Sequence, residues 1–234
     1  MSDDRARFWD ERILDWEAAR YDGRWWPSLA PIEWLAGALS GPTRRRQALG
    51  VELVAPFVKG RSVMEVGCGT GRLARRFLDA GARDYLGLDH SRVAIETARR
   101  RAGGEKRMRF EARSAVELPE KGDLIVSLGL IDWLTDAELR VFFRRHGAAD
   151  FLHTFSERRS EPLQALHRLC RALDSRLRPG AVRPRFMTAA EAIASIPRNK
   201  SLILYRDRAL RSAVFLSSLP LSAGARVDRA EVGS

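Results

Sequence analysis

A glycine-rich segment, Glu65-Val66-Gly67-Cys68-Gly69-Thr70-Gly71, carries the clearest chemical signal in this 234-residue sequence. The segment follows a short apolar run and leads into a helical pattern from Arg72, so its three alternate glycines fall at a strand-to-helix turn. Because glycine has no Cβ, a ligand can approach the backbone of such a turn closely. We therefore predict a ligand site at this turn.

The spacing of the glycines indicates which kind of ligand the turn binds. The dinucleotide fingerprint G-x-G-x-x-G would place a third glycine at position 72, where the sequence has Arg72. No Gly-Lys-Ser/Thr triplet follows, which excludes a P-loop. The carboxylate of Glu65 suits a positively charged ligand, and a pyrophosphate would not need it. These features disfavour a nicotinamide-dependent oxidoreductase.

A second acid, Asp89, follows the apolar run Tyr85-Leu86-Gly87-Leu88, about 20 residues beyond the turn. At the carboxyl edge of a sheet, a carboxylate can accept hydrogen bonds from both ribose hydroxyls of an adenosine. Capping of the next helix is the alternative role, and we expect Ser91 to take it. The turn and the acid together predict a site for an adenosine-containing ligand.

The rest of the chain supplies the elements that would position these residues. Beyond Lys59-Gly60, short apolar runs alternate with helical segments, which is typical of βαβ units and a mostly parallel sheet. The sequence predicts an α/β fold with a doubly wound, Rossmann-like sheet of seven strands. The last two strands should form a hairpin, which leaves one strand antiparallel. The predicted strands are Ser62 to Val66, Tyr85 to Leu88, Met108 to Ala112, Leu124 to Leu128, Phe151 to Phe155, Leu202 to Tyr205 and Ala213 to Ser217, and the predicted helices between them are Arg72 to Ala80, Arg92 to Arg101, Ala137 to Arg145, Pro162 to Leu177 and Ala189 to Ile196.

Three parts are predicted along the chain. They are an N-terminal helical lid over residues 1–57, a core over residues 58–220 with a helical insertion at 157–197, and a C-terminal tail at 221–234. In the first part, apolar residues recur at helical spacing from Arg5 to about Glu17, which predicts one amphipathic helix. Two more helices are expected there, over residues 32–39 and about 43–57.

The composition restricts the class of protein. No stretch reaches the roughly 20 apolar residues that cross a bilayer, and no signal-peptide pattern is seen. Two cysteines cannot build a disulfide framework, so a reducing, cytoplasmic location is expected. The net charge of +11 would suit nucleic acid or another acidic partner. Because the basic residues are spread along the chain, solvated helix faces are the favoured interpretation.

The motifs together resemble a known family. The segment Glu65 to Gly71, with Asp89 after the second strand and Asp123-Leu124-Ile125-Val126-Ser127 at the fourth, strongly resembles class I methyltransferases that use S-adenosylmethionine (SAM). The resemblance covers about residues 45 to 217. Residues 129–136 are similar to the stretch after strand four in small-molecule methyltransferases, and the whole layout is similar to methyltransferases of bacterial polysaccharide and natural-product clusters.

The resemblance implies SAM as the cofactor, with S-adenosylhomocysteine (SAH) as product, and it assigns binding residues. The backbone of the glycine turn would hold the methionine part, Asp89 the ribose, and Leu128 would lie near the methionine amine. Arg46 would face the SAM carboxylate, with a place among three adjacent surface arginines as the open alternative. The full implied set is Arg46, Glu65, Gly67, Cys68, Gly69, Gly71, Asp89, His90 flanking the adenine, Ser114 and Ala115 near the adenine amine, and Leu128.

Methyl transfer is a displacement at a sulfonium methyl, so the protein must align the reactants and, for a hydroxyl acceptor, supply a base. Asp132 and His153 are the candidate bases, with Glu157 behind them, since they follow or lie in strands four and five. A structural histidine is the alternative for His153, and helix capping is the alternative for Asp132. His146 is expected on a helix surface, as is His167. No metal site is predicted.

Aromatic residues of the N-terminal part are expected to line an acceptor pocket and exclude water. The candidates are Tyr21, Trp25 and Trp26, together with Trp133 after strand four. Packing of helices onto the sheet is the alternative.

The acceptor is not named by any motif. The leading hypothesis is O-methylation of a small molecule, a sugar or biosynthetic intermediate. An RNA methyltransferase is the second hypothesis, motivated by the charge. A non-catalytic SAM-binding partner protein is the third, and the oligomeric state is left open.

Overall fold

The computed structural model describes residues 2–22, 41–119, 122–159, 184–197, 199–210, 212–221 and 225–226. These residues form a mixed β-sheet with helices on both faces and two helices at the N-terminus. The strands are β1 (Ser62–Val66), β2 (Asp84–Asp89), β3 (Met108–Ala112), β4 (Leu124–Leu128), β5 (Asp150–Ser156), β6 (Ile203–Arg206), β7 (Ala213–Ser217) and β8 (Ala225–Arg226). The helices are α1 (Ser2–Asp10), α2 (Ile13–Tyr21), α3 (Gly41–Val58), α4 (Ala74–Asp79), α5 (Arg92–Ala102), α6 (Asp136–Arg145) and α7 (Ala189–Ala194), with 3-10 turns at Ile131–Trp133 and Arg208–Leu210.

The strands lie in the order β3-β2-β1-β4-β5-β7-β6-β8. β1 pairs in parallel with β2 on one side and with β4 on the other, and β7 runs antiparallel to both β5 and β6. Strands β2 and β3 are added on one side of β1, and β4 and β5 on the other, so the strand order reverses beside β1. Open α/β sheets bind ligands at this point, at the carboxyl ends of their strands.

The core has two halves because side chains alternate across each strand. On one face, Val63 and Val126 pack with Val54 of α3, Phe77 of α4 and Ile95 of α5. On the other face, Met64 and Ile125 pack with Phe142 of α6 and Ile193 of α7. The sheet is therefore covered on both sides, and its carboxyl edge remains to bind ligands.

The prediction of a seven-stranded doubly wound sheet with one antiparallel strand is confirmed, and the two-residue β8 is an addition that the sequence did not indicate. The single N-terminal helix was wrong: the chain forms two helices with a turn at Glu11-Arg12. The break lets the Trp9 ring contact both Trp16 and Trp133, with centroids 5.7 and 5.0 Å away. Helices predicted over 32–39 and 162–177 lie outside the described residues.

The helix after the glycine turn is shorter than predicted. It begins at Ala74, because residues 69–73 form turns instead of a first helical turn from Arg72. Within the described part of the chain, none of the helices is both long and apolar enough to span a membrane.

Candidate functional site

The glycine turn after β1 has a conformation that requires glycine. Gly67, Gly69 and Gly71 have φ values of +77°, +52° and +70°, a region that other residues rarely adopt. A Cβ at Gly71 would lie 2.7 Å from the Phe110 ring, so α5 and β3 also pack directly on the turn. The amides of Gly67 and Cys68 both donate to the carbonyl of Leu88, which ties the turn to the end of β2.

Asp89 lies at the end of β2, beside the same turn. Its Oδ2 accepts from the amide of Gly69 and its Oδ1 from the amide of Ser91, each at 2.9 Å. Burial raises the pKa of the Asp89 carboxyl, and these two amide bonds oppose the rise. Ser91 caps α5 by accepting from the amide of Ala94, as predicted. The carboxylate is thus fixed in orientation while each oxygen keeps a lone pair for a ligand hydroxyl.

Glu65 and Cys68 lie beneath the turn and not on its surface. Glu65 is buried and its Oε2 accepts a 2.6 Å hydrogen bond from the Tyr85 hydroxyl. Burial raises the pKa of Glu65 to about 8, since a buried carboxylate loses its hydration. Burial also raises the pKa of the Cys68 thiol, which therefore stays protonated at neutral pH.

Arg46 lies against the carboxyl end of β4. Of the three adjacent arginines, Arg44 and Arg45 are exposed, whereas Arg46 turns inward. A Cβ at Gly129, where φ is +104°, would lie 2.7 Å from Nη2 of Arg46. Nε of Arg46 is buried without a hydrogen-bond partner among the described residues. Burial raises the pKa of the neighbouring Tyr21 phenol, and the charge of Arg46 opposes the rise.

The segments that would flank an adenine lie close to Asp89. The amide of Arg113, directly after β3, donates to the carbonyl of Asp89 at 2.8 Å. Ser114 is therefore next to this edge, whereas Ala115 is buried in the core. Nε2 of His90 is buried and has no partner in the described part of the chain.

Asp132 connects the segment after β4 to the end of β5. Its Oδ1 accepts from the amide of Ser156 at 2.7 Å, and its Oδ2 accepts from the Ser156 hydroxyl at 2.6 Å. The side chain is 5% exposed. Both oxygens hold the segment after β4 against the end of β5, and the role of Asp132 as a base stays a prediction.

His153 is part of a buried network. Its Nδ1 lies 2.8 Å from the Ser127 hydroxyl, and its Nε2 lies 2.8 Å from Nε2 of His146. Nδ1 of His146 must carry a hydrogen, because its partner 2.7 Å away is the carbonyl of Phe142. Burial lowers the pKa of His146 to about 4 and that of His153 well below its usual value.

The two histidines had different predictions, and only that on His146 is wrong. His146 was expected on a helix surface, and it is buried because it faces β5 from the end of α6. His153 was a candidate base with a structural histidine as the alternative; both its ring nitrogens bond protein groups and its side chain is wholly buried, which agrees with the alternative, and its role as a base stays a prediction. Glu157 is also engaged, since Arg206 and Arg159 pair with it and lower its pKa against the opposing effect of burial.

The N-terminal helices lie over this edge of the sheet. Glu17 of α2 accepts from the amide of Thr70 at 2.9 Å, from the Thr70 hydroxyl at 2.5 Å and from Nε of Arg72 at 2.8 Å. Asp10 at the end of α1 accepts from the Ser91 hydroxyl at 2.7 Å. Glu17 was not among the predicted residues. The available signal was a carboxylate four residues after the apolar Ile13, on the same face of the helix.

The predicted acceptor residues are placed only in part. The Trp133 ring lies beyond β4 under Trp9 of α1, with the centroids 5.0 Å apart. Tyr21 lies at the end of α2 beside Arg46. Trp25 and Trp26 lie outside the described residues. The residues that the structure describes bring no three metal-ligating side chains together.

Comparisons with known proteins agree with this geometry. Residues 63–149 match a family model described as a methyltransferase domain. Magnesium protoporphyrin IX methyltransferase from Synechocystis, crystallised with SAH, is 17% identical, has a TM-score of 0.66 and covers 90% of this chain and 95% of its own. A SAM-dependent methyltransferase from Mesorhizobium loti is 20% identical, has a TM-score of 0.57 and covers 75% of this chain and 98% of its own.

One curated relative shares sequence over a shorter stretch. The tRNA U34 carboxymethyltransferase of Vibrio vulnificus strain YJ016 is 35% identical over 79 residues, which are 32% of this chain and 24% of that protein. This chain therefore matches about a quarter of the length of that relative.

Proposed function

We propose that the chain is a class I methyltransferase that uses SAM and that it methylates an oxygen atom of a small organic acceptor. The observation that carries the proposal is the roof formed by α1 and α2 over the carboxyl ends of β1, β2 and β4. Glu17 bonds the turn after β1, and Trp9 contacts Trp133 after β4. A roof fixed at both points would restrict access to this edge of the sheet, which suits a small acceptor better than a folded nucleic acid.

The residues present fit SAM. The glycine turn offers bare backbone, and the oriented carboxylate of Asp89 can accept from the ribose hydroxyls. Nε of Arg46 is buried without a partner among the described residues, so it is available to donate to the methionine carboxylate. We assign Gly67, Gly69 and the backbone of Leu128 to the methionine part, and His90 and Ser114 to the adenine side. Glu65, Cys68, Gly71 and Ala115 support the site from beneath.

When bound, SAM supplies an electrophilic methyl group. The chain itself contributes alignment and exclusion of water, which account for much of the rate of such displacements. We assign Trp133 and Tyr21 to the acceptor side of the site, because Trp133 contacts Trp9 and Tyr21 lies at the end of α2. We assign Asp132 and His153 to positioning, since Asp132 holds the segment after β4 and His153 holds α6 against β5.

An RNA acceptor is the second candidate, and one observation favours it. The 79-residue similarity to a tRNA U34 carboxymethyltransferase coincides with a net charge of +11. Phosphate contacts would make RNA binding strong and steeply dependent on salt. The similarity covers 24% of that relative, so it does not extend to the rest of the tRNA enzyme.

Transfer of a radiolabelled methyl group from SAM separates the candidates. The purified protein is incubated with a bacterial extract divided into molecules below about 1 kDa, tRNA and protein, with Asp89→Asn as the matched control. We expect label in the small-molecule fraction, and loss of that label with Asp89→Asn. Alkaline treatment then distinguishes a methyl ester, which releases methanol, from a stable ether. Label that enters tRNA alone would overturn the small-molecule proposal.

A further inference from the structure

The amides of Gly69 and Thr70 are consecutive, yet they donate to acids on opposite sides of the turn. The amide of Gly69 donates to Oδ2 of Asp89, and the amide of Thr70 donates to Oε1 of Glu17, each at 2.9 Å. One short stretch of backbone therefore connects the acid assigned to the ribose with an acid on the N-terminal roof. We infer that Glu17 is a positioning residue that couples docking of α1 and α2 to recognition of the cofactor ribose.

Thr70 is held from two helices at once. Its hydroxyl donates to Oε2 of Glu17 and accepts from Nη1 of Arg101, and its carbonyl accepts from the same Nη1 at 2.6 Å. With glycines on both sides of Thr70, the backbone has little stiffness of its own. The conformation of the turn, and with it the bond from Gly69 to Asp89, therefore depends on these side chains.

Glu17 is well placed to act in this way. It is 5% exposed, and a Cβ at Gly69 would overlap its Oε1, so α2 lies directly on the turn. Its second oxygen pairs with Arg72 at 2.8 Å, and the far edge of the Arg72 guanidinium forms two bonds to Asp22, at 2.9 and 2.7 Å. A buried carboxylate with these partners fixes both the turn and the helix.

The roof buries little apolar surface completely. Ile13 is the one buried apolar side chain among the described side chains of α1 and α2. Segments with few buried apolar contacts open readily, so the roof can lift while the core stays folded. Loss of Glu17 should therefore free α2 and loosen the orientation of Asp89 together. Because such coupling is reciprocal, cofactor binding should in turn favour the docked roof.

The test compares SAH with its 2′-deoxy analogue, which lacks one of the hydroxyls assigned to Asp89. By titration calorimetry the unaltered protein should bind SAH roughly tenfold or more tightly than the analogue, as expected for a hydrogen bond to a charged group. In Glu17→Ala this preference should fall at least about threefold. Glu17→Gln keeps an acceptor for Thr70, so its preference for SAH should fall less. Glu17→Gln is used in place of Glu17→Ala if the alanine variant does not fold.

A matched control comes from the same roof. Glu11 pairs with Arg7 at 3.3 Å on the exposed side, where the two side chains are 61% and 84% exposed. Glu11→Gln removes one negative charge without touching the turn, and its preference for SAH should equal that of the unaltered protein. SAH should also slow tryptic cleavage after Arg12 and Arg20, and less so in Glu17→Ala.

The inference rests on the proposed role of Asp89, and the outcomes separate the two. If the unaltered protein binds both ligands equally, the ribose assignment is wrong and the coupling is lost with it. If Glu17→Ala weakens both ligands by the same factor, SAM binding at this site stands and the coupling is overturned, because Glu17 then serves stability alone.

Discussion

The Tyr85 hydroxyl donates to Oε2 of Glu65 at 2.6 Å directly beneath the glycine turn. Both side chains are buried, and burial raises the pKa of Glu65 to about 8. The carboxyl group is therefore mostly protonated at pH 7, which spares the core the cost of a buried charge. Nearby Glu17 and Asp89 raise its pKa further by repulsion, although less than burial does.

This relationship predicts how stability depends on pH. The pKa of Glu65 is higher in the folded than in the unfolded chain, so its contribution is complete below about pH 4.5 and declines as the pH rises toward about 8. Glu65→Gln keeps an acceptor for Tyr85 but cannot ionise. We expect the variant to gain stability over the unaltered protein between pH 6 and pH 9, by about 2 kcal/mol or more. Urea unfolding at both pH values measures this, and an unchanged difference would contradict it.

The two buried histidines predict a loss of stability in acid. His146 has a folded pKa of about 4 against a usual 6.5, so the unfolded chain binds the extra proton first. Stability should fall by about 3 kcal/mol from this group as the pH drops from 6.5 to 4. Burial is the main cause and the charge of Lys200 adds to it.

His146→Gln provides the matched variant for that experiment. Its amide oxygen can accept from Nε2 of His153, and it removes the titration of His146. We expect a flatter dependence of the unfolding free energy on pH between 6.5 and 4 in this variant. Parallel curves for the two proteins would show that His146 does not titrate as described.

The elements that could be predicted from the sequence are those specified locally. The strand before Gly67, the turn with its positive φ angles and the capping of α5 by Ser91 all follow from residues a few positions apart. Residues whose role depends on distant partners were missed. Glu17 bonds Thr70 from 53 positions away; its spacing from Ile13 indicates a buried side of the helix but does not identify Thr70 as the partner.

The same distinction applies to the candidate bases. Asp132 and His153 were selected because they follow or lie in strands whose ends would face the cofactor, and the prediction of a doubly wound sheet is confirmed. Position along a strand does not reveal what a side chain bonds. Asp132 bonds Ser156, which lies 24 residues further along the chain, and His153 bonds His146 of the packed helix α6.

The hydrogen bonds between Ser156 and Asp132 predict that variants of either residue lose folding stability and not methyl-transfer activity. Asp132→Asn should reduce the free energy of unfolding by about 1–3 kcal/mol, because a buried bond is lost. Ser156→Ala removes the hydroxyl from the other end and should have a similar effect. Well below the unfolding temperature, both variants should keep methyl transfer within about tenfold. A loss above about 100-fold with Asp132→Asn alone would restore Asp132 as the base.

Gly129 and Arg46 predict an effect on the methionine end of the cofactor. Alanine at Gly129 is strained at φ +104°, and its Cβ would displace the Arg46 guanidinium. We expect Gly129→Ala and Arg46→Gln each to weaken SAH binding about tenfold, and the double variant to add little, since both remove the same contact.

Gly103→Ala is the matched control, because Gly103 has φ +60° with no atom within 4 Å of a Cβ. 5′-Methylthioadenosine lacks the carboxylate, so its affinity should be equal in the four variants and the unaltered protein. If Arg46→Gln weakens both ligands alike, the assignment of Arg46 to the carboxylate is wrong.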